Sequence, residues 1–166
     1  GGDPFVFGRG GDEALACAAA GVPFEVVSGV TSAVAAPAAA GIPVTHRGLA
    51  SSVAFVTGHG ADDREPDVNW EALARGADTL AILMGVGRIE TIARRLIEAG
   101  RSPDTPAALV RHGTLPDQET VISTLARVSE EAQAKGLRSP AVFVVGSCVS
   151  LAGSLAWRAS RPLDGL

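Results

Sequence analysis

The sequence contains little cysteine, and its two cysteines lie far apart. Cys17 and Cys148 form no CxxC pair and no group with histidine. This spacing gives no indication of a disulfide framework or of a zinc site, so we predict no metal site. The simplest interpretation is that both thiols are small, buried hydrophobic groups.

The chain also lacks a strong charge of either sign. Fourteen Lys and Arg residues oppose eighteen Asp and Glu residues, and the formal net charge is −4. Such a balance provides no bulk electrostatic attraction for nucleic acid or for an anionic membrane surface. An initiator methionine, a signal-type segment and an apolar run long enough to cross a bilayer are all missing from the sequence. We therefore expect a cytoplasmic protein with no nucleic-acid or membrane partner.

Glycine, by contrast, is abundant at the start of the chain. Residues 1–11 read GGDPFVFGRGG and include five glycines. Glycine permits left-handed and tightly turned backbone, and it lets another molecule approach closely. This stretch therefore predicts a ligand-binding loop. Because a chain end normally frays, a binding loop at residue 1 indicates that the sequence is a fragment of a longer protein.

Apolar runs and helical patterns alternate through the rest of the chain. Strands are predicted at residues 24–27, 53–57, 78–84, 106–110, 120–123 and 141–145. Helices are predicted at residues 14–20, 33–40, 70–75 and 125–135, and from residue 89 to a stop at Gly100. Apolar strands that alternate with helices favour an α/β fold with a sheet covered on both faces and largely parallel. Residues 41–48 break the periodicity and are the candidate linker between two domains.

Hydroxyl residues follow the first predicted strand. The strand at residues 24–27 runs into Ser28-Gly29-Val30-Thr31-Ser32, which places Thr31 and Ser32 at the start of a helix. Free backbone N–H groups at a helix start can meet a polar ligand or an anion. An ordinary helix-capping role explains the same residues.

Glycine also ends three of the predicted strands, at Met84-Gly85, His112-Gly113 and Val145-Gly146. Ligands of open α/β sheets bind outside the carboxyl ends of strands, so these glycines are candidates for a shared cleft. Turn geometry alone is the alternative explanation, and the residues by themselves leave both open.

Together these motifs closely resemble the uroporphyrinogen-III C-methyltransferases of the tetrapyrrole methylase family. The resemblance rests on GGDPFVFGRGG at 1–11, SGVTSA at 28–33, GIPVTHR at 41–47, SVAFVTGH at 52–59, MGV at 84–86 and GTLPDQ at 113–118. It covers nearly the whole chain, and FVFGRGG is its most specific part. Two positions depart from the family pattern: Ser28 replaces the usual proline, and Glu119 replaces a common arginine.

The resemblance implies a two-domain α/β fold that holds S-adenosylmethionine in a cleft between its domains. Residues 1–47 would be the end of the N-terminal cofactor domain, and residues 48–166 the C-terminal, mixed-sheet domain. It also implies a homodimer. The positions that match the family's cofactor contacts are Gly1, Gly2, Asp3, Val6, Thr31, Ser32, Met84 and Gly113.

The implied reaction methylates C2 and C7 of uroporphyrinogen III to give precorrin-2, which feeds sirohaem or cobalamin synthesis. The substrate carries carboxylates that arginine side chains bind well, and Arg9 and Arg47 are the candidates. The family's proposed acid and base residues lie ahead of Gly1, so no catalytic residue is expected in this fragment, and we predict that the fragment alone is inactive.

Other assignments stay open at this point. His46, His59 and His112 have the chemistry of general bases, but the resemblance does not favour them. A methylase that acts on a later corrinoid precursor is one rival function. A dimerisation module that binds no cofactor is another.

Overall fold

The computed structural model describes residues 2–60 and 66–158. By its contacts the chain divides into two compact units, Gly1–Ser32 and Ala33–Leu166. Residues 33–47 therefore fall in the larger unit. The boundary near residue 47, which the resemblance implies for the complete two-domain protein, stays a prediction.

The smaller unit contains a loop, one helix and an extended segment. Helix α1 spans Gly10–Ala19 and begins earlier than predicted, with Arg9 ahead of it at φ 61°. Asp12 does not cap the helix but lies in its first turn, where a carboxylate is favoured by the helix dipole. The chain leaves the helix at Gly21, which has φ 66°. Among residues 2–32, Gly10 is the only buried position.

The strand predicted at residues 24–27 is wrong. Residues 22–31 contain neither helix nor strand, and Phe24 and Val27 are exposed. A β-strand exists through hydrogen bonds to a neighbouring strand, and residues 2–32 contain no strand to supply them. Aromatic and β-branched composition therefore did not suffice to predict a strand in this segment.

The larger unit is built on a five-stranded sheet in the order β1-β2-β5-β3-β4. Its strands are β1 (Val53–Thr57), β2 (Thr79–Leu83), β3 (Pro106–Arg111), β4 (Glu119–Thr124) and β5 (Ala141–Val145). Strands β1 and β2 are parallel, whereas β5 runs antiparallel to both β2 and β3, and β4 runs antiparallel to β3. The mixed sheet that the resemblance implied is confirmed. The prediction of a largely parallel sheet is wrong. Apolar runs report burial on both faces of a strand, and a central antiparallel strand has the same pattern.

Helices cover both faces of this sheet. The helices are α2 (Ser32–Ala39), α3 (Trp70–Gly76), α4 (Ile89–Glu98), α5 (Val128–Ala134) and α6 (Ala152–Leu155). Successive side chains of a strand point to opposite faces. Accordingly, Leu109 of β3 packs in a core cluster with residues of α3, α4 and α5, whereas the next residue, Val110, packs with residues of α2 and α6. Within the described ranges, no helix is long and apolar enough to span a membrane.

Candidate functional site

Three strands of the larger unit end at one edge of the sheet. Strands β2 and β3 both run antiparallel to β5, so they point the same way, and β1 runs parallel to β2. Gly58, Met84 and His112 follow the last residues of these three strands. The pair Val145-Gly146 lies at the opposite edge because β5 runs in the opposite direction. The prediction of one cleft shared by all three strand-end glycines is therefore wrong.

The backbone at this edge is strained. Met84, His112 and Thr114 have φ values of 55°, 45° and 77°, in the left-handed region that residues with a side chain rarely adopt. Each such residue costs on the order of 1–3 kcal/mol, and such residues cluster at ligand sites and switch regions. Met84 as a whole residue is 52% exposed. The structure therefore presents a thioether at the strained end of β2.

Two strand ends meet at glycines. A Cβ added to Gly58 would lie 2.4 Å from the Cα of Gly85. The Gly58 N–H donates to the Leu83 carbonyl at 2.7 Å. A side chain at Gly58 would push the two backbones apart, so close packing explains the glycine at this position.

Gly113 has a packing role of the same kind. A Cβ at this position would lie 2.3 Å from the Cβ of Ala36 in α2. The glycine therefore allows the chain after β3 to lie directly against the helix. Its predicted contact with a cofactor stays a prediction.

The residues after Gly113 form a turn that side chains hold in place; we refer to residues 112–118 as the β3–β4 loop. The Nδ1 atom of His112 lies 2.5 Å from Oδ2 of Asp117, and this hydrogen bond holds the pKa of the Asp117 carboxyl below its usual value. The amide of Thr114 donates to Oε1 of Gln118 at 2.9 Å, and Nε2 of Gln118 donates to the Ala39 carbonyl at 3.2 Å. The loop is thus tied both to itself and to the end of α2.

In the smaller unit, Asp3 organises the glycine loop. Its Oδ1 accepts a hydrogen bond from the Phe5 amide at 2.8 Å, and its Oδ2 accepts one from the Gly29 amide at 3.0 Å. A Cβ at Gly29 would lie 2.0 Å from the Gly2 carbonyl oxygen, so this contact requires glycine. Gly2 itself has φ 104° and open space where a Cβ would stand. The carboxylate therefore shapes the loop through backbone N–H groups, and the structure brings Gly2, Asp3 and Gly29 together.

The other predicted positions are placed as follows. Val6 and Thr31 are half-buried, Ser32 is exposed, and Gly1 lies outside the described residues. Ser32 is the first residue of α2, so the predicted helix start is confirmed.

Both candidate arginines are exposed. The side chain of Arg9 is 85% exposed and pairs with Asp12 at 3.1 Å. Arg47 lies in a turn closed by hydrogen bonds between His46 and Ala50.

Sequence reasoning missed the partners of the β3–β4 loop. Asp117 was not singled out, and neither was Arg158, whose NH1 and NH2 atoms donate to the carbonyls of Thr114 and Leu115 at 3.0 and 3.1 Å. No spacing rule links an arginine to backbone carbonyls more than forty residues away. In the part of the chain that the structure describes, no group of three His, Cys, Asp or Glu residues is arranged to hold a metal ion.

The two cysteines differ from each other. Cys148 is buried as predicted, and burial raises the pKa of its thiol. Cys17 is only half-buried, so the prediction of a buried thiol is wrong at this position. It lies on α1, where Gly10 is the only buried residue.

Comparison with known proteins gives consistent matches. Residues 1–129 match the model of the family described as Tetrapyrrole (Corrin/Porphyrin) Methylases. A siroheme synthase from Neisseria meningitidis serogroup C is 53% identical over 157 residues, which are 95% of this chain and 32% of that protein. The uroporphyrinogen-III C-methyltransferase of Bacillus subtilis is 46% identical over 157 residues, 95% of this chain and 61% of that enzyme.

A solved structure is similar over the same extent. The crystal structure of uroporphyrin-III C-methyl transferase from Thermus thermophilus, complexed with S-adenyl homocysteine, matches with a TM-score of 0.77 and 42% identity. The match covers 91% of this chain and 65% of that protein. The chain therefore spans between 32% and 65% of the length of these relatives.

Proposed function

Because the chain belongs to the tetrapyrrole (corrin/porphyrin) methylases, we propose that the protein containing it is a uroporphyrinogen-III C-methyltransferase. The reaction would methylate C2 and C7 of uroporphyrinogen III with S-adenosylmethionine and give precorrin-2. The observation that carries this proposal is the 46% identity, over 95% of the chain, to a relative named for that activity.

The residues present fit the cofactor. Open space lies where Gly2 would carry a Cβ, and the exposed thioether of Met84 is a soft, polarisable surface. S-adenosylmethionine, when bound, supplies a methyl group activated by a sulfonium. The residues we assign to its binding are Gly1, Gly2, Asp3, Val6, Thr31, Ser32, Met84 and Gly113.

The chain's own contribution is positional. Asp3 fixes the glycine loop through the Phe5 and Gly29 amides, so the loop holds its shape before any ligand arrives. The hydrogen bonds inside the β3–β4 loop do the same for Gly113. Groups that are positioned in advance lose less freedom when a reactant binds, and this lowers the barrier to reaction.

Binding of the tetrapyrrole carboxylates is assigned to Arg9 and Arg47. Both guanidinium groups are exposed, and guanidinium pairs with carboxylate in a two-pronged geometry. In the complete enzyme, Arg47→Ala should raise the KM for uroporphyrinogen III and leave the KM for S-adenosylmethionine unchanged. Steady-state kinetics with each substrate varied in turn measures both constants. An unaltered KM for the tetrapyrrole would reject Arg47 as a carboxylate ligand.

The function itself is tested by a methyl-transfer assay with uroporphyrinogen III. We expect the complete polypeptide to form precorrin-2 and the 166-residue chain alone to be inactive, because the acid and base residues are expected ahead of Gly1. Failure of the complete polypeptide with uroporphyrinogen III, together with turnover of precorrin-2, would instead indicate a methylase of a later corrinoid precursor.

The complete enzyme is also proposed to be a homodimer, as the family resemblance implies. Sedimentation velocity on the complete polypeptide tests this directly, and a monomer at all concentrations would contradict it.

A further inference from the structure

The last described residues of the chain join two separate parts of the larger unit. The guanidinium of Arg158 donates from NH1 to the Thr114 carbonyl at 3.0 Å and from NH2 to the Leu115 carbonyl at 3.1 Å. The Nε1 atom of Trp157 donates to the Ala38 carbonyl at 3.0 Å, near the end of α2. Nothing in the proposed chemistry uses either side chain.

The backbone ahead of Trp157 lies against the same helix end. A Cβ at Gly41 would stand 2.5 Å from the Leu155 carbonyl oxygen, so only glycine permits this approach. A mainly apolar cavity of about 600 Å³ is lined by Ala38, Ile42 and Pro43 on one side and by residues 153–157 on the other. Residues 155–158 therefore form a strap that runs from the turn after α2 to the β3–β4 loop.

The two side chains of the strap also support each other. The Arg158 guanidinium carbon lies 5.7 Å from the centre of the Trp157 ring, within the range of a cation–π interaction. A planar guanidinium with two parallel donors fixes the orientation of two successive carbonyls, whereas a lysine ammonium acts as a single point charge. Arg158 is thus suited to set the backbone direction at Thr114 and Leu115.

The β3–β4 loop is a segment that needs such support. His112 and Thr114 have left-handed φ values of 45° and 77°, and Gly113 lies between them. Strained conformations of this kind persist only where surrounding contacts hold them. Arg158 binds the carbonyl of one strained residue directly.

We propose that Trp157 and Arg158 are positioning residues, which hold the β3–β4 loop in the conformation that presents Gly113 to the S-adenosyl ligand. This inference rests on the proposed function. Trp157 and Arg158 lie outside the motifs of the family resemblance. By this inference they raise the affinity for the ligand through the β3–β4 loop, without touching the ligand.

The test uses the complete polypeptide with three substitutions: Arg158→Ala, Arg158→Lys and Trp157→Phe. The matched control is Arg94→Ala, because Arg94 pairs with Glu98 at 3.3 Å on the exposed face of α4. Hydrogen–deuterium exchange of peptides covering residues 112–118 reports the loop, and calorimetric titration with S-adenosylhomocysteine reports affinity.

Arg158→Ala should accelerate exchange in the β3–β4 loop and raise the Kd for S-adenosylhomocysteine on the order of tenfold, since two charge-assisted hydrogen bonds are lost. Arg158→Lys should recover part of the affinity. Trp157→Phe keeps the aromatic ring and loses the indole donor, so it should give a smaller effect in the same direction. Arg94→Ala should change neither readout.

The outcomes separate the two proposals. If the unsubstituted protein does not bind S-adenosylhomocysteine, the proposed function fails, and the strap's share in ligand affinity fails with it. If it binds, and Arg158→Ala behaves like Arg94→Ala in both readouts, the strap is rejected and the proposed function stands. Faster loop exchange with an unchanged Kd would reduce Arg158 to a structural role and overturn the positioning proposal.

Discussion

At the scale of single residues, close backbone contacts decide which positions must be glycine. Gly58 meets Gly85, Gly29 meets the Gly2 carbonyl, and Gly113 meets Ala36. Gly29, Gly58 and Gly113 all lie in the motifs that carry the family resemblance, and the structure gives each a packing reason, which is that no Cβ fits. Substitution at such a position tests packing first, and ligand binding only in a protein that still folds.

Gly113→Ala is the sharpest of these tests. Its new Cβ would lie 2.3 Å from the Cβ of Ala36, so α2 or the β3–β4 loop must move. Forcing an extra carbon into a packed contact costs about 1–3 kcal/mol. Urea denaturation should show that loss in the free energy of unfolding. Gly87→Ala is the control, because a Cβ there meets nothing within 4 Å, and a loss of equal size in both variants would contradict this account.

The hydrogen bonds of Asp78 predict a dependence of stability on pH. Its Oδ2 atom accepts hydrogen bonds from the Ser51 amide at 2.8 Å and from the Ser52 amide and hydroxyl at 3.0 and 2.9 Å. These bonds hold the pKa of the Asp78 carboxyl below its usual value, and the bond from the Ser51 amide has the largest effect. A lowered pKa in the folded state contributes stability that is complete above the unfolded value of about 3.9, and that is lost as the pH falls through the folded value.

Asp78→Asn should therefore lower the thermal midpoint near neutral pH and flatten its decline below about pH 4. The measurement is a series of melting curves from neutral pH to about pH 3, with the exposed residue Asp104 changed to Asn as the control. An acid decline as steep in Asp78→Asn as in the unsubstituted protein would show that this carboxylate is not a cause of it.

At the scale of elements, local patterns predicted position better than direction. The strands at residues 53–57 and 141–145 were predicted with their observed bounds, since apolar runs bounded by polar or turn residues define them. The reversed direction of β5 was not predictable, because direction depends on which strands become neighbours in the sheet. The segment at 24–27 failed for the same reason: its neighbours decide whether it is a strand.

The residues of the candidate site also differ in how far the sequence could predict them. Residues inside the glycine loop and at strand ends were recognisable from motifs. Arg158 was not recognisable, because it acts on carbonyl groups, which every residue carries and no sequence pattern marks. His112 was considered as a base, and the structure instead pairs it with Asp117 within the β3–β4 loop.

The cap of α3 is an element whose contribution can be measured. Asn69 precedes the helix, and its Oδ1 accepts a hydrogen bond from the Ala72 amide at 2.9 Å. Asn69→Ala leaves that amide without a side-chain acceptor and should cost about 1 kcal/mol in the free energy of unfolding, measured by urea denaturation. Asn69→Asp retains an acceptor and should be close to neutral. Equal losses in the two variants would show that the cap bond does not matter.

At the scale of the whole molecule, burial is unevenly distributed between the two units. Gly10 is the only buried position among residues 2–32, whereas the larger unit holds fully buried side chains in β2, β3, β4 and β5. Hydrophobic burial is the main favourable term in folding. The cooperative stability of the chain should therefore come from the larger unit, and apolar side chains of the smaller unit should contribute little to it.

Phe143→Ala and Leu15→Ala test this distribution as a pair. Phe143 is completely buried at the centre of the sheet, in β5, and its truncation should cost about 3–5 kcal/mol. Leu15 is 71% exposed on α1, and its truncation should change the free energy of unfolding by less than about 0.5 kcal/mol. Urea unfolding of the 166-residue chain, followed by tryptophan fluorescence, measures both, because Trp70 is buried in the core of the larger unit. A large loss from Leu15→Ala would contradict this distribution and would mean that the smaller unit unfolds cooperatively with the sheet.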